Sequence, residues 1–472
     1  MNALWTETEL TRACGAAPSS PITETVSGIS IDTRTLQAGD VFFAIQGETH
    51  DGHDHVARAF EAGAAAAVTR RDRAGSLAAF GPLFPVDDTL GAMERLAKIS
   101  RWRAKARIVA VTGSVGKTTA KEMLRAMLSS CGETHASAAS HNNQWGVPLS
   151  LSRMPASVDF GVFEIGMNHA GEIAPLSRMV RPHVAVVTTI AAVHVEHLGS
   201  VAAIADAKAE VLQGLEPAGA AVLNRDAPQF DRLAKAASAR GASVLSFGAS
   251  AECEARLMQC EATEAGSRVR ARVHGRDTRF DLGAPGIHMA QNALAALLAA
   301  DALGAQLDPC AEALARFSPQ KGRGERFLVA TPDGSATIID ESYNANPASM
   351  RAALALLGAA RPGANGRRIA VIGDMLELGA DGAMMHAQLA ADLSANKVDL
   401  LFGAGPLTRA LFDAAPLSMR AAWAERPSEL TDEIASALRA GDVAMVKGSN
   451  GSRMGPLVAA LCEHFARPGA RG

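Results

Sequence analysis

Apolar positions along this chain fall into short continuous runs that alternate with helically spaced ones. RIVAVTG (Arg107 to Gly113) is a run of the first kind, closed by glycine. Such a run reads as a strand covered on both faces. The segment that follows, KTTAKEMLRAMLSS, puts Met123, Leu124, Met127 and Leu128 on one helical face, with Gly132 beyond them to end the helix. FGVFEIG (Phe160 to Gly166), VAVVTTI (Val184 to Ile190) and GAAVLN (Gly219 to Asn224) repeat the strand signal. Strands and helices in alternation predict a mostly parallel sheet covered on both sides.

Two other stretches differ in texture. In SGISIDTRTLQAGDVFFAIQG (Ser27 to Gly47), short β-rich pieces alternate with turn residues, and His55 to Thr69 reads as a helix passing through Gly63 into a strand. A small α/β domain over residues 1–105 is expected, with the basic SRWRAKAR (Ser100 to Arg107) at its join. Residues 106–318 form the central unit. From residue 319 to 472, ATIID, RRIAVIG, DLLFGAG and DVAMVKGS predict strands separated by helices in a Rossmann-like order. No strand there runs into GxGxxG, so a dinucleotide site has no support. The expected fold class is therefore α/β, in three domains.

At 472 residues the length suits three domains, and 48% hydrophobic residues supply their cores. Aromatics are scarce at 4%, with Tyr343 the single tyrosine, so those cores are built from aliphatic side chains. The balance of 46 basic and 49 acidic residues argues against nucleic acid as a partner. No apolar run is long enough to span a bilayer, and MNALWTETELTRACG lacks the layout of a secretory signal. Six cysteines without CxxC spacing indicate neither a zinc site nor a disulfide framework. A cytoplasmic protein without a membrane partner is expected.

The sharpest chemical signal is VTGSVGKTT, Val111 to Thr119. A strand, a loop with two glycines and a helix starting at a Lys-Thr pair point backbone N–H groups and the positive helix end at a phosphate. Gly113, Ser114, Val115, Gly116, Lys117, Thr118 and Thr119 are thus candidate nucleotide contacts. Lys117 suits the outer phosphates, and the Thr118 hydroxyl suits Mg²⁺. Val111 stands where the general phosphate-loop pattern has its first glycine. An ordinary βα turn carrying a surface lysine is the plainer alternative. The loop by itself implies ATP and leaves the reaction open, so a nucleotide-driven switch or partner-binding module competes with an enzyme.

Glu164 ends one strand, and His194 and Glu196 follow another, where loops at strand carboxyl ends converge. Glu164 and His194 are candidate Mg²⁺ ligands, though each is otherwise a loop hydrogen-bonder. Lys208 lies in a helical stretch and reads, unaided, as a surface lysine. His288 and Asn292 share a helical face, where Asn292 suits an adenine edge. KGRGER offers Arg323 or Arg326 to a γ-phosphate from a domain joint. Asp340 and Glu341, at a strand end, suit a ribose hydroxyl, while Asn344 and Asn346 shape the turn beyond.

Taken together, TGSVGKTT, FEIGMN, VHVEHLGS with Lys208 downstream, HMAQN, KGRGE, DESYNANP and VKGS resemble the Mur ligase family in kind and in order, over nearly the whole chain. DESYNANPASM, IGDMLELG and SHNNQWGVPLSL are similar to the branch that joins D-alanyl-D-alanine to a UDP-N-acetylmuramoyl-tripeptide. The diaminopimelate- or lysine-adding branch is the nearest alternative. Its Asp-Asn-Pro-Arg motif is absent, and Thr118-Thr119 stand where folylpolyglutamate ligases carry Gly-Ser.

The resemblance implies UDP-substrate, ATP and amino-acid-substrate domains in that order, and a monomer. It also implies ATP and Mg²⁺, an acyl-phosphate route, and catalytic roles for Lys117, Glu164, His194, Lys208 and Arg323. A carbamylated Lys208 would serve as a further metal ligand. Ser30, Thr33, Arg34, Asn142, Asn143, Tyr343, Asn344 and Asn346 become candidate substrate contacts. Two departures stand out. Lys447-Gly448-Ser449-Asn450 replaces a family Lys-Gly-Ser-Arg, with Arg453 nearby, and Ala191-Ala192-Val193 precedes His194 where an Asn is common before Ile190.

Overall fold

The structure, a computed structural model, describes residues 3–47, 49–138, 140–192, 195–263 and 266–466. Three sheets of four, nine and six strands organise it, one in each of three α/β domains. The first is parallel throughout: Gly28–Ser30, Asp40–Phe43, Ala66–Arg70 and Leu83–Val86 lie side by side in chain order. Ile29, Val41, Phe43, Val68 and Phe84 pack on Trp5 and Leu10 and on Met93 and Leu96 of the helix Thr89–Arg103. Gly63 adopts φ +95°, so the helix Val56–Glu61 stops just short of it and the chain turns into the next strand. The helix Thr89–Arg103 takes in most of the basic segment, so the join of the sequence reading shrinks to a few residues before the strand Arg107–Thr112.

The central sheet places Arg107–Thr112 between Phe160–Glu164 and Val184–Val187, all parallel. Alternate residues serve opposite faces. Val109, Val111, Val162 and Val186 join Met123, Leu124, Met127 and Leu128 of the helix Lys117–Leu128 in one core. Ile108, Ala110, Phe163 and Val187 join Ile173 and Leu176 in the other. Each fully buried Val, Leu, Ile, Met or Phe among them contributes roughly 1.5–3 kcal/mol, and both faces being dry explains the unbroken apolar runs. The helix ends at Leu128 with Ser129 as its cap, short of Gly132. Beyond the parallel strands lies an antiparallel set, Ala255–Thr263, Gly266–Val273 and Arg276–Leu282, which the apolar-run reading did not anticipate.

The third sheet holds the four expected strands and adds Glu325–Thr331 and Arg420–Ala424 at its edges. Glu325–Thr331 pairs antiparallel, and the rest are parallel. In the central sheet the chain steps to opposite sides of Arg107–Thr112, so its carboxyl end is a topological switch point. Open α/β sheets form their crevices there.

Candidate active site

The crevice is a cavity of about 670 Å³ shared by the phosphate loop, the 140–145 turn, the start of the helix Ile287–Ala302 and the 341–346 turn of the third domain. Gly113 and Gly116 have φ +144° and +87°, which an L side chain rarely adopts. Space forbids one as well. A Cβ on Gly113 would lie 2.1 Å from Thr188 Oγ1, and one on Gly116 2.7 Å from Asn292 Oδ1. The Ser114 amide donates to the Thr189 carbonyl at 2.7 Å, and the Ser114 hydroxyl to the Ala191 carbonyl at 3.1 Å, pinning the loop. Lys117 folds back on this loop, its Nζ donating to the Gly113 carbonyl at 2.8 Å. Burial lowers its pKa and Arg323 lowers it too, while Glu164 opposes both.

In the first turn of the helix the Thr118 hydroxyl donates to Glu164 Oε2 at 2.8 Å, and its Oγ1 lies 3.3 Å from Ser140 Oγ. Glu164 is 1% exposed, and its other oxygen accepts from Asn142 Nδ2 at 2.7 Å. Among the described residues no three His, Cys, Asp or Glu side chains cluster to hold a metal. A hydroxyl and one carboxylate suit Mg²⁺, which keeps water and phosphate oxygens for most of its shell. His194 lies outside the described residues, and Glu196 is exposed on the short helix Val195–Leu198.

Lys208, expected on composition to be a surface lysine, is instead 1% exposed, in the helix Val201–Ala209. Its pKa is pushed well down, first by burial and then by Lys117; Glu164, Glu210 and Glu172 pull the other way. Composition and spacing could not have separated this lysine from a solvated one; the family resemblance singled it out.

Arg323 approaches from the third-domain side. Its Nη2 donates to Ser140 Oγ at 3.3 Å, and its guanidinium lies 3.9 Å over the Tyr343 ring. Arg326 does not line the cavity, so of the two candidates Arg323 faces the loop. Glu341 also lines it, with Oε2 3.3 Å from Lys447 Nζ. Asp340 does not. Its carboxylate accepts the amides of Gly322 and Ser342, both at 3.0 Å, and is spent on joining the domain hinge to the strand Gly334–Glu341.

Asn143, Tyr343, Asn344 and Asn346 border the cavity with Asn142. Asn346 also caps the helix Pro347–Ala359 through Ser349, and Asn143 Oδ1 accepts the amides of Trp145 and Gly146. Ser30, Thr33 and Arg34 are not brought there. Ser30 is buried against Asp32, and Arg34 pairs with Asp32 at 2.6 Å on the surface of the first domain. The sequence reading quoted Lys447 and Ser140 within motifs and gave neither a role. Lys447 is 3% exposed and closes the strand Val443–Lys447, where a strand-end lysine in VKGS was the available signal.

Comparison with known proteins matches the chain to one family across all three domains. Residues 25–101 match the model of the Mur ligase family catalytic domain, 111–300 the Mur ligase middle domain, and 322–450 the Mur ligase glutamate ligase domain. The chain is 34% identical to the UDP-N-acetylmuramoyl-tripeptide--D-alanyl-D-alanine ligase of Escherichia coli, covering 93% of this chain and 94% of that one. It is 32% identical to the Bacillus subtilis enzyme of the same name, covering 93% of each. A crystal structure of MurF from Acinetobacter baumannii superposes with TM-score 0.83 at 29% identity, over 97% of this chain and 99% of that one.

Proposed function

The chain belongs to the Mur ligase family, and from that premise we propose that its cleft joins D-alanyl-D-alanine to a UDP-N-acetylmuramoyl-tripeptide at the expense of ATP. The units 1–105, 106–318 and 319–472 serve the UDP-substrate, the nucleotide and the incoming dipeptide. ATP and a UDP-linked substrate imply a cytoplasmic reaction, and the expected working unit is a monomer.

A carboxylate is a poor acyl donor because oxide would have to leave. Moving the γ-phosphoryl of ATP onto the tripeptide's terminal carboxylate gives an acyl phosphate and ADP. The free amine of D-alanyl-D-alanine then attacks the carbonyl carbon, the tetrahedral adduct collapses, and phosphate leaves as the amide forms. The chain's own contribution is to bring two mutually repelling anions together and to hold them in line. Lys117, released from the Gly113 carbonyl, neutralises the outer phosphates, and Arg323 meets the same charge from across the seam. The observation that carries this reading is the convergence of Lys117, Thr118, Glu164 and Arg323 on one cavity.

Thr118 and Glu164 would hold Mg²⁺, with His194 and Lys208 completing the set. When bound, that ion screens phosphate charge. The burial of Lys208 supports the reading that it is carbamylated. Its buried amine is driven toward the neutral form that adds to carbon dioxide with loss of a proton. The resulting anion would replace the repulsion between Lys208 and Lys117 by attraction. Asn292, beside Gly116, takes the adenine side of the nucleotide, and Glu341 takes the ribose.

Phosphate release by the purified chain with ATP, Mg²⁺ and UDP-N-acetylmuramoyl-tripeptide tests the assignment. The expected result is release driven by D-alanyl-D-alanine and not by single amino acids. Release driven by diaminopimelate instead would reassign the chain to the other branch.

A further inference from the structure

On the face opposite the cleft, three helices meet around a concavity of about 470 Å³. Glu7–Cys14 brings Arg12, Thr89–Arg103 brings Lys98, Arg101 and Trp102, and Ile173–Val180 with its cap brings Arg178 and Arg181. The last two helices lead into the starts of Arg107–Thr112 and Val184–Val187, whose far ends build the cleft. Anything bound here leaves the active site open.

Of the five cations around this hollow, Arg101 is buried and donates to the Val180 and Arg181 carbonyls, while Arg12, Lys98, Arg178 and Arg181 repel one another at the surface with little to answer them. Among the described residues only Glu216 pairs into the group, at 2.7 Å from Arg181 and 3.6 Å from Arg101. Arg178 donates to the neutral Gln213, and Arg12 and Lys98 have no ion pair among the described residues. Compensation of helix dipoles accounts for some of these charges. It does not account for Trp102.

Trp102 is 76% exposed, while Trp5 is 1% exposed and lies under Arg103, and Trp423 lies under Arg409. No cation covers the Trp102 ring among the described residues. A bare indole amid guanidinium and ammonium groups matches the chemistry of a lipid headgroup layer. Cations meet phosphates there, and indoles rest between polar and acyl zones.

We infer that this face docks the protein on a bilayer rich in anionic phospholipids, with Trp102 as the inserted side chain. The apolar-run pattern led us to expect no membrane partner, and no helix of the described residues is long and apolar enough to cross a membrane. A contact lying on the surface needs no such helix.

The test is co-sedimentation of the full chain with vesicles of phosphatidylcholine alone or mixed equally with phosphatidylglycerol. Binding to the anionic vesicles at low salt, release at high salt and no binding to phosphatidylcholine are expected. The double variant Arg12→Glu/Lys98→Glu should weaken partitioning by at least about tenfold, and Trp102→Ala should weaken it with the salt dependence kept. A blue shift of tryptophan emission on binding should vanish in Trp102→Phe. Circular dichroism and phosphate release, both unchanged in these variants, would separate lost docking from lost folding. Equal binding to both vesicle types, no binding at low salt, or undiminished binding by the double variant would overturn the inference. Binding of polyglutamate without binding of vesicles would also overturn it and mark the face as a protein-docking surface.

Discussion

The Thr118 hydroxyl donates a 2.8 Å hydrogen bond to Oε2 of Glu164, joining the first turn of the phosphate-loop helix to the end of the neighbouring strand. Two elements separated by 46 positions in the chain thereby present their oxygen atoms to one point beside Lys117.

Glu164→Gln keeps the shape and the partners Thr118 and Asn142 but removes the charge. The Mg²⁺ concentration for half-maximal turnover should rise by about 10–100-fold, the range seen when metal surroundings are perturbed. A Mg²⁺ titration of phosphate release checks it, and an unchanged midpoint would count against Glu164 as a ligand.

Arg323 rests on Tyr343, the single tyrosine of the chain. Arg323→Ala should lower kcat by about 10³-fold, with nucleotide affinity much less affected. Tyr343→Leu removes a stacking contact of about 0.5–1 kcal/mol and should slow turnover only a few-fold, while Tyr343→Phe should stay near normal. Steady-state kinetics beside nucleotide binding by calorimetry distinguishes these outcomes.

Asn346 closes a reciprocal cap with Ser349 at the start of Pro347–Ala359. Asn346→Ala should cost about 1 kcal/mol. A fall in Tm of a few degrees by calorimetry is expected; an unchanged Tm together with lost activity would make Asn346 a substrate contact alone.

His183 accepts the amide of Ile108 at 2.9 Å, and burial, followed by the charges of Arg107 and Arg101, holds its pKa down at about 4. An unfolded histidine titrates near about 6.5. Between those values the unfolded chain binds the extra proton, so the stability from this group is complete above the unfolded pKa and drains away as pH falls toward the folded one. Tm should fall with acidification across that window, and His183→Gln should flatten part of the slope.

Much of this was legible in the sequence because the central strands are dry on both faces. Val109, Val111, Val162 and Val186 announce themselves as apolar runs. The pair Gly266–Val273 and Arg276–Leu282 hides behind its charges, since one face is solvated. Yet RVRARV alternates, and His274 and Gly275 between the strands have φ +47° and +78°, a tight hairpin turn. Arg420–Ala424, mostly alanine, carries no β-branched signal at all. In the site, loop chemistry was local and therefore readable. Whether Asp340 serves a ligand or the amides of Gly322 and Ser342 depends on a hinge that sequence spacing does not display. The burial of Lys208 likewise arises from tertiary packing.

The most direct measurement follows oxygen. With ¹⁸O in the terminal carboxylate of UDP-N-acetylmuramoyl-tripeptide, turnover with ATP and D-alanyl-D-alanine should deliver one labelled oxygen into the released phosphate, and Lys117→Ala should abolish both label transfer and amide formation. Amide formed with unlabelled phosphate, or label transfer undiminished in Lys117→Ala, would contradict phosphoryl transfer to the peptide acid in this cleft.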